Sequence, residues 1–215
     1  MFFSSVKLTM NSNSNPVKAL SYAILLVSIL LLSGCATNHY DKVKTGELKG
    51  TITLKWKDPD LFLFEPDPDK PLSFTRHGET EPIIPKRMFT DGGSIPRPMR
   101  AFKNYSPWGY APAFIIHDWL FVMQHCKEEG YENFTLESSA LIMSEVMKTM
   151  MESPEFDFGD KETLYLMYQA VKTPVAQQWW ENGKCKTKGT PRSITDPHTY
   201  SSEIEWDSEE TITFE

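Results

Sequence analysis

The stretch that most constrains this chain runs from Ala111 to Met123, Ala-Pro-Ala-Phe-Ile-Ile-His-Asp-Trp-Leu-Phe-Val-Met. Every side chain in it is apolar or aromatic except His117 and Asp118. Pro112 suits the first turn of a helix, where its missing N–H costs nothing. At helical spacing Asp118 has Phe114, Ile115, Phe121 and Val122 as neighbours, and His117 has Ala113, Phe114, Leu120 and Phe121. A helix apolar all round belongs inside a protein. An ionisable pair carried there survives by pairing, hydrogen bonding or metal ligation. The sequence therefore says where the chain is chemically unusual, but not which substrate, if any, meets that place.

The N-terminus reads differently. Lys7 and Lys18 are the only charges ahead of an apolar run from Ala19 to Leu32. That run is short for a membrane span and has the form of a signal-peptide core. It closes on Leu32-Ser33-Gly34-Cys35, which resembles the lipobox of bacterial lipoproteins, where a cysteine is acylated and becomes the mature N-terminus. The competing reading is an uncleaved anchor helix with an incidental cysteine. Met10 offers a second start, because 11–32 alone makes a conventional signal. By the Gram-negative sorting pattern, Ala36 in place of Asp implies the outer membrane. Residues 1–34 are thus expected to be a lipoprotein signal peptide, 35–47 a polar tether, 48–186 one globular domain and 187–215 an acidic tail. The expected location is the cell envelope, facing the periplasm, with the membrane as partner through the lipid on Cys35.

Without Lys7 and Lys18 the chain carries 20 basic against 29 acidic residues, a net charge near −9. That acidity argues against nucleic acid or an anionic lipid patch as a partner surface. A protein or envelope partner is left undefined. Cys126 and Cys185 remain, and two thiols in an oxidising compartment read as a disulfide more readily than as a metal site.

Along the mature chain, Ile52, Leu54 and Trp56 alternate with polar residues, the pattern of a half-buried strand. Leu61–Phe64, Phe74–His77 and Ile83-Ile84 are further short extended candidates, separated by proline-rich turns. The second half is helical. Thr135 caps a helix whose Leu136, Ala140, Met143, Met147 and Met150 make one apolar stripe, which reads as core packing and not as a copper site. Asp160 caps a third helix with Leu164, Met167, Tyr168 and Val171 inward, and Pro174 kinks or stops it. Trp179 and Trp180 are expected to finish the core. Asp196–Glu215 has seven acids and no Lys or Arg, with a period-two pattern at Ile212 and Phe214 that suits an edge strand. The fold class is α+β in a single domain: a small β-rich N-terminal part, then about three packed helices.

Two features suggest chemistry together. One is Thr90-Asp91-Gly92-Gly93-Ser94-Ile95-Pro96-Arg97, where adjacent glycines let backbone approach a ligand. The other is His117-Asp118. If the loop folds over the helix, Asp91, His117 and Asp118 converge. A His beside carboxylates suits general-base activation of water. Asp91 and Asp118 with loop carbonyls suit a hard cation such as calcium.

The order Thr90–Arg97, then Pro112–Phe121, then Tyr168-Gln169-Ala170-Val171 resembles the family called domain of unknown function 1353, over roughly Ile83 to Trp180. That family brings no activity to carry over, but the resemblance implies a shared site at Asp91, His117 and Asp118, with Gly92, Gly93, Ser94 and Arg97 as binding residues. Gly93 stands where Ala is common and Phe121 where Tyr is common. Glu137-Ser138-Ser139 stands where relatives carry an acidic-Ala-Asp triplet, so a carboxylate that could serve His117 is missing. In motif order alone, the chain is also similar to secreted phospholipase A2. That likeness would make His117 the base, Asp118 a metal ligand, and Gly92 and Gly93 loop ligands.

Against these stand plainer roles. Asp118 can cap the preceding loop or pair with Arg97 or Arg100. His117 can be a neutral core histidine, Asp91 a turn residue, and His125 a surface residue at a helix end. The expectation is a non-catalytic envelope lipoprotein with a buried Asp91/His117/Asp118 network. The alternative is a hydrolase of a lipid or envelope substrate, with or without calcium.

Overall fold

In a computed structural model, residues 20–21, 33–57, 61–90, 109–154, 156, 159–185 and 208–214 are described. They form a curled antiparallel sheet followed by packed helices, a single α+β domain. Among them no helix is long and apolar enough to cross a membrane. Apart from Leu20 and Ser21, the expected signal core at 19–32 lies outside the described residues.

β1 (Glu47–Lys57) is the hub of the sheet. It pairs antiparallel with β2 (Leu61–Pro66), β3 (Ser73–Thr75) and β5 (Ser208–Phe214), and β4 (Met88–Thr90) pairs with β2. The alternation read in the sequence sets its register: Leu54 lies opposite Phe64, and both are buried with Ile52. Gly50 has φ +102, and a Cβ there would sit 2.1 Å from the Pro71 carbonyl oxygen. That crossing admits only glycine. The C-terminal segment is thus, over 208–214, a strand of the sheet rather than a loose tail.

The helices follow their caps. α2 (Ala111–Cys126) has Pro112 in its first turn and ends where Lys127 takes a left-handed conformation. α3 (Leu136–Glu152) opens with a capping box between Thr135 and Ser138. The stripe Leu136, Ala140, Met143, Met147 and Met150 is buried throughout, as its spacing requires. α4 (Lys161–Ala170) is capped by Asp160. The core lies where α2 meets α3 and the sheet, around Phe64, Phe74, Phe114, Ile116, Leu120 and Met143.

Two expectations need correction. Pro174 does not kink the third helix. α4 has already ended, and Pro174 opens a separate helix, α5 (Pro174–Asn182), capped by Thr173. Proline at a first turn is favourable for the same reason that it is costly inside a helix. Nor does the segment expected as a tether hang free. Residues 33–42 are helical (α1), with Ala36 and Val43 buried. Lys148 donates to the carbonyls of Tyr40 and Val43 at 2.9 and 3.0 Å, filling acceptors that a helix end leaves open.

Candidate functional site

α2 holds both ionisable residues of the proposed site. His117 is 6% exposed. Its Nδ1 lies 3.5 Å from Asp118 Oδ1, at the outer limit of a hydrogen bond. Asp118 Oδ2 accepts from the Thr90 hydroxyl at 2.5 Å. Thr90 ends β4 and is itself buried, so the sheet reaches α2 through this contact. His117 Nε2 is buried with no hydrogen-bond partner among the described residues. If Nδ1 carries the proton and donates to Asp118, Nε2 keeps a bare lone pair.

An aromatic stripe continues from His117 along α2. Its ring lies 5.0 Å from Phe121, and Phe121 packs edge-on against His125 at 6.0 Å and Trp180 at 4.9 Å. The i, i+4, i+8 spacing puts the three side chains on one face. α5 covers that face through Trp180, and His125 Nε2 donates to the Trp179 carbonyl at 2.9 Å. His125 is therefore half-buried, not the surface residue expected, and burial holds its imidazole below the ordinary value of 6.5. At Gly183 a Cβ would meet the His125 ring at 2.1 Å, so any larger residue there would have to displace that ring. The Cys126–Cys185 disulfide joins the end of α2 to the residues after α5, with Cα atoms 4.5 Å apart.

The remaining expected site residues fall as follows. Asp91, Gly92, Gly93, Ser94 and Arg97 lie outside the described residues, as does Arg100. Among the described residues, the loop meets the helix through Thr90. Cys35 lies on α1 and is exposed. Ser139, which the resemblance sets at the position of an expected Asp, is fully buried and donates to the Leu136 carbonyl of its own helix. It offers His117 no carboxylate. No group of three or more His, Cys, Asp and Glu fit for a metal occurs among the described residues.

Sequence reading passed over two participants. Thr90 was legible only as a neighbour of Asp91, although its hydroxyl is the contact made to Asp118. Glu145 on α3 is buried and takes two hydrogen bonds from Arg76, at 2.7 and 2.8 Å, across the core from the sheet side. Nothing in the local sequence pattern announces that pair.

A sheet strand delivering a hydroxyl to a buried His–Asp helix, with the next helix packed against it, defines a class of α+β domain by its fold and its site. Residues 69–171 match the model of the family described as Protein of unknown function (DUF1353), the family that the motifs resemble. The match takes in β3, β4, α2, α3 and α4. It starts earlier than the resemblance read from motifs and stops before α5. Comparison with curated proteins and with solved structures returned no match.

Proposed function

We propose that this chain is an exported bacterial envelope lipoprotein, anchored through an acyl chain on Cys35, that works by contact with an envelope partner rather than by catalysis. The observation that carries the non-catalytic reading is the cover over His117. A general base must meet its substrate, yet this imidazole is 6% exposed, with the Phe121 ring 5.0 Å from its own. Export is supported by the Cys126–Cys185 disulfide, a bond typical of oxidising compartments. The small residues ahead of an exposed Cys35 support the anchor. The outer membrane, facing the periplasm, is the location that Ala36 favours.

The test has two arms. Expressed in a Gram-negative host, the chain should take up labelled palmitate and fractionate with membranes, and Cys35→Ala should abolish both. Release of unmodified protein into the soluble fraction would contradict the anchor. Purified protein should turn over phospholipids, esters and peptidoglycan no faster than His117→Phe does.

One observation favours the hydrolase reading: the open lone pair of Nε2 behind a carboxylate-backed Nδ1. There Nε2 would accept a proton from water as its oxygen attacks a carbonyl, and Asp118 would stabilise the imidazolium. Calcium would need Asp118 with Asp91 and carbonyls of the Gly92-Gly93 loop. Turnover that disappears in a folded His117→Phe variant would establish this alternative.

A further inference from the structure

We propose that the domain sits directly on the bilayer, not on a slack tether, and that the face it presents is the end where α3 starts, α4 finishes and α5 begins. This rests on the acylation of Cys35 argued above. Were 35–47 a free tether, its 13 residues would reach about 45 Å at roughly 3.3–3.6 Å each. Instead the slack is a single residue, because Cys35 is exposed while Ala36 is fully buried.

The contacts of α1 fix which end receives the lipid. His39 stacks on Tyr168 with ring centroids 4.1 Å apart, and its Nε2 lies 3.4 Å from the Ser144 hydroxyl. Tyr40 donates to Glu152, and Lys148 holds the Tyr40 and Val43 carbonyls. Gly46 N donates to Thr149 at 2.9 Å. Within α1, His39 lies by Ser144 while Tyr40 reaches Lys148 and Glu152, so α1 steps toward the C-terminal end of α3. On α4 the order reverses, with His39 on Tyr168 and Lys161 over the Tyr40 ring. Cys35, one turn ahead of His39, therefore lies toward Glu137 at the start of α3 and Lys172 after α4.

That end suits a bilayer. Lys172 pairs with Glu137 at 3.0 Å, which leaves the charges there balanced. Val175, just beyond, is 64% exposed. The close of α3 is at the other end, where Phe214 of β5 stacks on Phe156.

The experiment uses acylated full-length protein reconstituted in phosphatidylethanolamine–phosphatidylglycerol vesicles carrying headgroup-nitroxide lipid. A fluorophore is placed on Val175→Cys or on Pro154→Cys, two exposed sites, one just past the end of α4 and one at the close of α3. The Val175 label should be quenched at least twofold more than the Pro154 label. His39→Ala with Tyr40→Ala, which frees α1, should make the two equal. Equal or reversed quenching in the otherwise unaltered protein overturns the seated arrangement. Mass spectrometry of the Cys35 peptide separates the two failures. Acylated protein with equal quenching sinks only this inference, whereas a bare Cys35 sinks the lipoprotein reading with it.

Discussion

Two buried polar groups sit on neighbouring helices and are treated in opposite ways. Glu145 on α3 has both carboxylate oxygens bonded by Arg76, so its charge is matched. His117 on α2 is equally buried, yet it has one marginal contact to Asp118 and an Nε2 with no partner among the described residues. The matched pair belongs to the structure of the fold: it ties the end of β3 to α3. The open nitrogen holds nothing together; its ring lies against Phe121, which Trp180 of α5 covers in turn. A buried polar group is retained for stability only when its bonds are made. The two sites should therefore answer mutation differently.

The largest effect should come from that cover. Cys126→Ser with Cys185→Ser opens a loop spanning 59 residues, and chain-entropy reasoning gives a loss of about 4 kcal/mol. Chemical denaturation without reductant measures it, and an unchanged midpoint would mean that the bridge constrains nothing. Next is Arg76→Ala. It strands a carboxylate that is 6% exposed and should cost about 3 kcal/mol, the low end for breaking a buried pair because Arg76 is partly in water. A loss below about 1 kcal/mol would erase the contrast with His117. Third, His117→Phe should change stability by less than about 1 kcal/mol, since no made bond is removed from Nε2 and the ring shape is roughly kept. A loss as large as that of Arg76→Ala would show that His117 is a structural bond-maker after all.

The smallest effect is on acidification. Burial, and then the charge of Lys172, hold the His39 imidazole below 6.5, outweighing the opposite pull of Glu137; Lys42 adds to the lowering. Burial does the same for His125. A folded value below the unfolded one means that unfolded chain binds more protons in this range. The contribution is complete above pH 6.5 and is lost as pH falls from there through the lowered folded values. The amide protection factors of α1 and α5, corrected for the slowing of intrinsic exchange in acid, should therefore fall below pH 6.5 before those of α3 do. A uniform fall would argue against local control by these two residues.

What the sequence displayed and what it hid divide along physical lines. Periodic burial and capping chemistry are local, so α2, α3, α4 and β1 could be read from Ile116, the methionine stripe, Asp160 and Leu54. α5 was hidden because Pro174 has the same identity whether it ends one helix or begins another. α1 was hidden because its buried set is sparse, Ala36 and Val43 with His39 and Tyr40 between, in a stretch otherwise polar. The His117–Asp118 pair stood out because charge in a greasy run is conspicuous. Its partner Thr90 and the Arg76–Glu145 pair did not, since each joins segments far apart in the chain and only the fold brings them together. Asp91, the third member expected of the site, lies outside the described residues.

The sealed state of His117 is tested most directly by the rate of carbethoxylation with diethylpyrocarbonate, read by mass spectrometry on folded, disulfide-intact protein. His77, on an exposed turn, should be modified readily while His117 stays unmodified until the Cys126–Cys185 bridge is reduced. Modification of His117 at the rate of His77 in the intact protein would contradict a covered, non-catalytic imidazole.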